Sequence, residues 1–163
     1  MRKLLLALIV GLVAVSAQAA DNFKERQGRW QLGANVGITD DPTLFGLTAL
    51  VNYYVTDSIA VGPLFQYGFK DDDSIFGVSG QVRYSAILPG NNIIRPYGQL
   101  GIGFIEYDVH NLFKGKSTTT FLVPVGGGAE FKLAEKLTLD ANILFNISRE
   151  IFIGLFVGVT YTF

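Results

Sequence analysis

The sequence predicts an all-β chain, an eight-stranded antiparallel up-and-down transmembrane β-barrel preceded by a cleaved signal peptide, and three observations predict it. Apolar residues recur at every second position from Arg29 to Phe163, which is the period of strands and not of helices. Hydrophobic residues make up 49% of the 163-residue chain, yet nowhere do they form the uncharged run of about 18 residues that a spanning helix needs. Short polar clusters rich in Gly, Asn, Asp and Ser interrupt the alternation at regular intervals, as turns between sequential strands do.

The N-terminus reads separately from the rest. Arg2 and Lys3 precede an apolar run from Leu4 to Val15, and Ser16-Ala17-Gln18-Ala19 follows. That order is the pattern of a secretory signal peptide, with Ala17 and Ala19 as the small residues of the cleavage site. Residues 1–19 are therefore expected to be removed, and residues 20–28 to form a charged, flexible periplasmic lead-in. Without Arg2 and Lys3 the chain keeps 11 basic and 14 acidic residues. A nucleic-acid partner is excluded by the missing basic footprint. Cysteine is absent, so disulfides, thiol chemistry and cysteine metal sites are excluded too.

The barrel is expected over residues 29–163. In the first strand Trp30, Leu32, Ala34, Val36 and Ile38 alternate with Gln31, Gly33, Asn35 and Gly37; in the second Phe45, Leu47, Ala49, Val51 and Tyr53 oppose Gly46, Thr48, Leu50 and Asn52. After the Thr56-Asp57-Ser58 turn, Ile59 to Phe69 form the third strand, which Asp71-Asp72-Asp73 ends. The fourth sets Phe76, Val78, Val82 and Tyr84 against Gly77, Ser79, Gln81, Arg83 and Ser85, before the Leu88 to Asn92 turn. The fifth follows Arg95, with Leu100, Ile102 and Phe104 on one face, and runs into a loop from Asp108 to Ser117. The sixth carries Thr120 to Lys132, and Gly126-Gly127-Gly128 in its middle predicts a bend or bulge. The seventh and eighth, Leu137 to Ser148 and Ile151 to Phe163, complete the set.

Alternation leaves the sense of the sheet open, since a soluble barrel binding a hydrophobic ligand alternates as well. The amount of apolar surface decides it. The apolar face holds about forty large hydrophobic side chains, more than the bore of eight strands accommodates. They must meet lipid, and closure of the sheet satisfies the backbone there. Trp30, Tyr53, Tyr54, Tyr67, Tyr84, Tyr107, Tyr161 and Phe163 lie near strand ends, where interfacial girdles are expected.

These residues resemble the small eight-stranded outer-membrane barrels, the OmpA/OmpX-like porin-family group. The likeness covers Arg29 to Phe163 and is most specific at the C-terminus, where Gly158, Tyr161 and Phe163 match the family's assembly signal and Phe156 stands where a polar residue is usual. The segment from Tyr53 to Gly62 is similar to the family's first periplasmic turn. The resemblance implies an outer-membrane location in a Gram-negative cell with both termini periplasmic, recognition by the barrel assembly machinery, contact with membrane lipid and lipopolysaccharide, and a monomer. It departs from the family in its short outer tips, so ligand roles of long loops do not carry over, and no peptidoglycan-binding domain is expected after Phe163.

Candidate chemistry is sparse. His110 is the sole histidine; paired with Ser117 it would make the chain similar to outer-membrane lipid A deacylases, but both lie in a loop and not on a lipid-facing strand. No enzymatic role, cofactor or metal is expected. Asp71-Asp72-Asp73 carries hard oxygen ligands suited to a divalent cation, although adjacent aspartates at a tip also serve as a plain solvated turn. Lys114, Lys116 and Arg149 would share that rim and meet lipopolysaccharide phosphates. Inside the bore, Arg83, Glu130, Lys132 and Asp140 form a candidate polar network, with Lys132 and Asp140 expected to pair. Closed, it plugs the lumen and leaves a structural or interaction protein; open, it lines a narrow pore for ions or small solutes.

Overall fold

A computed structural model describes residues 25–40, 45–70, 73–88, 93–108 and 118–163. Eight strands follow one another: β1 (Trp30–Thr39), β2 (Phe45–Tyr54), β3 (Ile59–Lys70), β4 (Asp73–Ser85), β5 (Ile94–Asp108), β6 (Thr118–Lys132), β7 (Leu137–Ile147) and β8 (Ile151–Thr162). Each pairs antiparallel with its sequence neighbour, and β1 pairs with β8 to close the barrel. Closure removes both sheet edges, so every strand has a hydrogen-bonding neighbour on each side without water. No described helix is long and apolar enough to cross a membrane.

The register fixes the barrel's shape. Paired residues lead once round from Trp30 through Tyr53, Val61, Val82, Leu100, Val125, Phe145 and Ile153, and return to β1 at Asp40, ten residues beyond the start. With strands about 4.7 Å apart and a rise of about 3.3 Å per residue, that stagger tilts the strands by about 40° and sets a backbone radius of about 8 Å. At this tilt the ten residues of β1 climb about 23 Å, close to the height of the apolar band such barrels present to lipid.

Alternation then sorts every side chain to one side of the wall. Ile151, Phe104 and Ile102 are 67%, 63% and 61% exposed, a degree of apolar exposure that a surface facing water would not carry round its whole circumference. Trp30, Tyr53, Tyr84, Tyr161 and Phe163 ring the end that holds the termini; Phe45, Tyr67, Phe69, Phe76, Phe104 and Phe121 ring the other. Cross-strand ring contacts hold these belts, with Trp30 5.1 Å from Tyr53 and Phe45 5.4 Å from Phe69.

Three expectations are corrected. Tyr54 and Tyr107 are buried in the bore and not in the girdles, because lipid-facing positions on β2 are odd-numbered and those on β5 even-numbered. The three glycines of β6 make no bulge: Gly126, Gly127 and Gly128 pair in unbroken register with Gln99, Gly98 and Tyr97 on one side and Leu144, Ile143 and Asn142 on the other. A Cβ at Gly126 would lie 2.1 Å from the Ile143 carbonyl oxygen, so glycine serves close strand approach there. Finally, the expected lead-in is not free of the barrel over its last residues, since Arg26 is buried in the mouth.

The bore is layered. Near the termini it holds charged and amide side chains. Above them Leu50, Leu64, Leu144 and Phe156 form one buried apolar cluster, and Ile75, Ile105, Tyr107, Leu122 and Phe152 form a second toward the opposite end. The ring of Phe156 lies where side chains at Gly37, Gly46 and Gly154 would otherwise project; a Cβ at these positions would meet it at 2.7, 2.8 and 2.3 Å. Gly46 and Gly154 thus create the space for a large aromatic inside a narrow barrel, while Gly37 also lets β1 approach the Leu155 carbonyl oxygen closely.

Candidate functional site

The site is the polar layer at the mouth shared by the two termini. Inward parity delivers Gln31 from β1, Asn52 and Tyr54 from β2, Gln81 and Arg83 from β4, Tyr97 and Gln99 from β5, Glu130 from β6 and Asp140 from β7. Arg26 arrives from outside the sheet. Its carbonyl accepts from Arg29 N at 2.9 Å, and Gly28, third in that turn, has φ +78°, the left-handed conformation that a type II turn demands at that place. The Asp57 carboxylate accepts from the amides of Arg26 and Gln27 at 2.9 and 3.0 Å, and so holds the turn under the barrel.

Glu130 is the centre of the layer. Its carboxylate accepts from Arg26 Nη1 at 2.6 Å, from Gln31 Nε2 at 2.8 Å and from Arg83 Nη1 at 3.3 Å. Arg83 donates to Gln99 Oε1 at 3.0 Å, stacks 3.8 Å over the Tyr97 ring and lies 3.9 Å from Asp140. Tyr97 donates its hydroxyl proton to Asp140 at 2.7 Å, and Asn35 and Asn142 donate to the same carboxylate at 3.2 and 3.1 Å. Arg26 also donates to the Tyr54 hydroxyl, and Arg95 to the Asp57 carbonyl. Glu130 and Arg83 are wholly buried. Such charges persist away from water only when paired and hydrogen-bonded. Burial penalises the charge on Arg26, but Glu130 and Tyr54 outweigh that and hold its guanidinium above its ordinary range.

Of the four residues expected in this network, Arg83, Glu130 and Asp140 converge. Lys132 is buried at the same mouth, but the expected Lys132–Asp140 pair gives way to another arrangement. The register sets Asp140 opposite Glu130 and Lys132 opposite Thr138, and Asp140 is drawn to Arg83 and Tyr97. Sequence reasoning missed Arg26, Tyr54, Arg95 and Tyr97. Parity alone would have found the two tyrosines, whereas Arg26 precedes the alternating region and carries no periodic signal. Chemically the layer offers two carboxylates, each shared among arginine, amide and tyrosine donors.

The C-terminal residues singled out above lie on the closing strand. Gly158 pairs with Asn35 and Tyr161 with Leu32 across the β8–β1 seam. The Phe163 amide donates to the Trp30 carbonyl at 2.9 Å, and the Tyr161 and Phe163 rings meet edge to face, 5.0 Å apart on the lipid side. Ala17, Ala19, Asp71, Asp72, His110, Lys114, Lys116 and Ser117 lie outside the described residues; Asp73 begins β4, opposite Lys70.

Solved structures share this architecture. The N-terminal β-barrel domain of Pseudomonas aeruginosa OprF superposes with a TM-score of 0.70 at 16% identity, over 85% of this chain and 100% of that one. Neisserial surface protein A gives 0.58 at 16% identity, over 83% and 96%. OprG of Pseudomonas aeruginosa gives 0.58 at 12% identity, over 88% and 99%. At such identities the likeness establishes the fold. No curated protein matches the sequence. The sequence pattern of the outer membrane protein beta-barrel domain, however, matches residues 5–163, almost the whole chain. Lipid-facing exposure, the closed eight-strand sheet and this match together show that the chain belongs to the outer membrane protein beta-barrel domain family.

Proposed function

We propose that this protein is a structural or interaction component of the outer membrane, a single-chain barrel whose lumen is filled and carries no current. The observation that carries the reading is the pair of apolar clusters stacked above the charged layer. An ion leaving the Arg83–Glu130 level would have to pass Leu50, Leu64, Leu144 and Phe156 and then Ile75, Ile105, Tyr107, Leu122 and Phe152, all buried, and the buried amides of Gln66 and Asn146 on that stretch are bonded to each other at 3.0 Å, a set too sparse to replace its hydration. A narrow pore would need a continuous polar path instead.

The termini and the short turns at 55–58 and 133–136 share one end of the barrel, which supports a periplasmic position for that end. Tyr161 and Phe163 at the closing seam support recognition of the C-terminal strand by the assembly machinery, and the opposite rim is left to face lipopolysaccharide. Planar-bilayer recording on the refolded protein tests the central statement. Membranes that stay silent after insertion, verified by heat-modifiable migration of the same sample, are expected; stable single-channel steps would make it a pore.

A further inference from the structure

Arg26 stands apart from the rest of the charged layer because the barrel wall does not supply it. It comes from a turn below the mouth, held by the Asp57 carboxylate and by two main-chain bonds, from Gly28 N to Tyr54 O and from Tyr54 N to Arg29 O. Its guanidinium enters a receptor made wholly by strand residues: the Glu130 carboxylate at 2.6 Å, the Tyr54 hydroxyl, and the Tyr54 ring, whose centre is 5.1 Å from Cζ. A carboxylate, a phenol and an aromatic face together suit a planar, delocalised cation better than an ammonium ion. The receptor also outlasts its occupant, since Glu130 keeps Arg83 and Gln31 when Arg26 departs.

We infer that the Glu130–Tyr54 mouth is a guanidinium-binding site, filled in cis by Arg26, so that residues 26–29 form a detachable latch which a guanidinium supplied in trans replaces. The inference is independent of conduction, because it concerns only the residues at the mouth and both measurements below read binding there. It gives the end of the barrel that carries the termini a binding function of defined chemistry, for a side chain or small molecule ending in a guanidinium group.

Two measurements on the refolded full-length mature chain test it. The first is limited trypsin digestion, with the new N-termini read by mass spectrometry. In the wild type the bond after Arg26 is expected to resist cleavage. Glu130→Gln is expected to release the latch and speed cleavage after Arg26 by about tenfold or more, the scale of a lost charge-assisted bond. Tyr54→Phe, which keeps the ring and removes only the hydroxyl, is expected to fall between the two, and serves if Glu130→Gln does not fold. The second is the thermal midpoint of Arg26→Ala, followed by heat-modifiable migration. Millimolar methylguanidinium is expected to raise it, methylammonium is not, and neither moves Arg26→Ala/Tyr54→Phe. Equal cleavage after Arg26 in the wild type and Tyr54→Phe overturns the latch. A midpoint that methylguanidinium leaves unmoved, or that both cations raise alike, overturns the guanidinium site.

Discussion

Replacing Phe156 by alanine tests whether the bore is packed like a protein core. The ring is 5% exposed and shares its cluster with Leu50, Leu64 and Leu144, and removing a buried phenylalanine typically costs about 3–5 kcal/mol. The upper part of that range is expected, because the cavity has little that can collapse into it. Gly37, Gly46 and Gly154 border the ring and have no side chains to move, and the inter-strand pairing of β1, β2 and β8 holds their backbones. About 4 kcal/mol, at a slope of about 2 kcal/mol per molar urea, displaces the unfolding midpoint by about 2 M. The assay is urea unfolding in detergent micelles or vesicles, read by heat-modifiable migration with far-UV circular dichroism beside it. A companion pair sharpens it. Gly154→Ala alone sets a Cβ 2.3 Å from the ring and should destabilise, whereas in a Phe156→Leu background the same change should cost less, with a coupling of about 1 kcal/mol or more. A midpoint shift below about 0.5 M for Phe156→Ala, or additive effects in the pair, would refute the idea that the glycines exist to seat this ring.

Three further outcomes are expected. Glu130→Gln should lower stability by about 3 kcal/mol, because Arg26 and Arg83 lose the anion they share; Asp140→Asn should cost less, since Tyr97 and Asn35 remain as partners, and the two urea midpoints compare them. Gly28→Ala should cost roughly 1 kcal/mol from left-handed backbone strain alone, as its Cβ would meet nothing within 4 Å; no shift in the midpoint would mean that the turn under the mouth contributes little. Deleting Phe163 should reduce the folded barrel recovered from outer membranes while leaving refolding in detergent largely intact, and equal reductions in both would count against an assembly signal.

The wall of this barrel was legible in the sequence because its physics is local. A period of two, broken by turn residues, placed all eight strands, and the same parity put Arg83, Glu130 and Asp140 inside. Residue type and parity conflict at two places: Tyr54 and Tyr107 suit the interface as aromatics, but their position in the alternation turns them inward. The apolar clusters were partly visible in the inward parity of Leu50 and Leu64, but a lumen thought of as polar gave no reason to group them with Leu144, Phe152 and Phe156. The exact partners of Asp140 depend on cross-strand register, a long-range quantity that the spacing along one strand does not encode. Arg26 was out of reach for a different reason, since its place depends on a turn that folds a non-strand segment back beneath the sheet.

The second apolar cluster has a consequence for engineering. Ile75, Ile105, Tyr107, Leu122 and Phe152 form a buried floor at the rim opposite the termini, where the Tyr107 hydroxyl meets Ser148, and the ion pairs among the described residues lie at the other end. A peptide epitope grafted at that rim is therefore expected to be displayed without disturbing the electrostatics of the opposite mouth. The molecule is in this sense a pedestal, with its foundations and its display surface set apart by two buried apolar clusters and the bonded pair Gln66–Asn146.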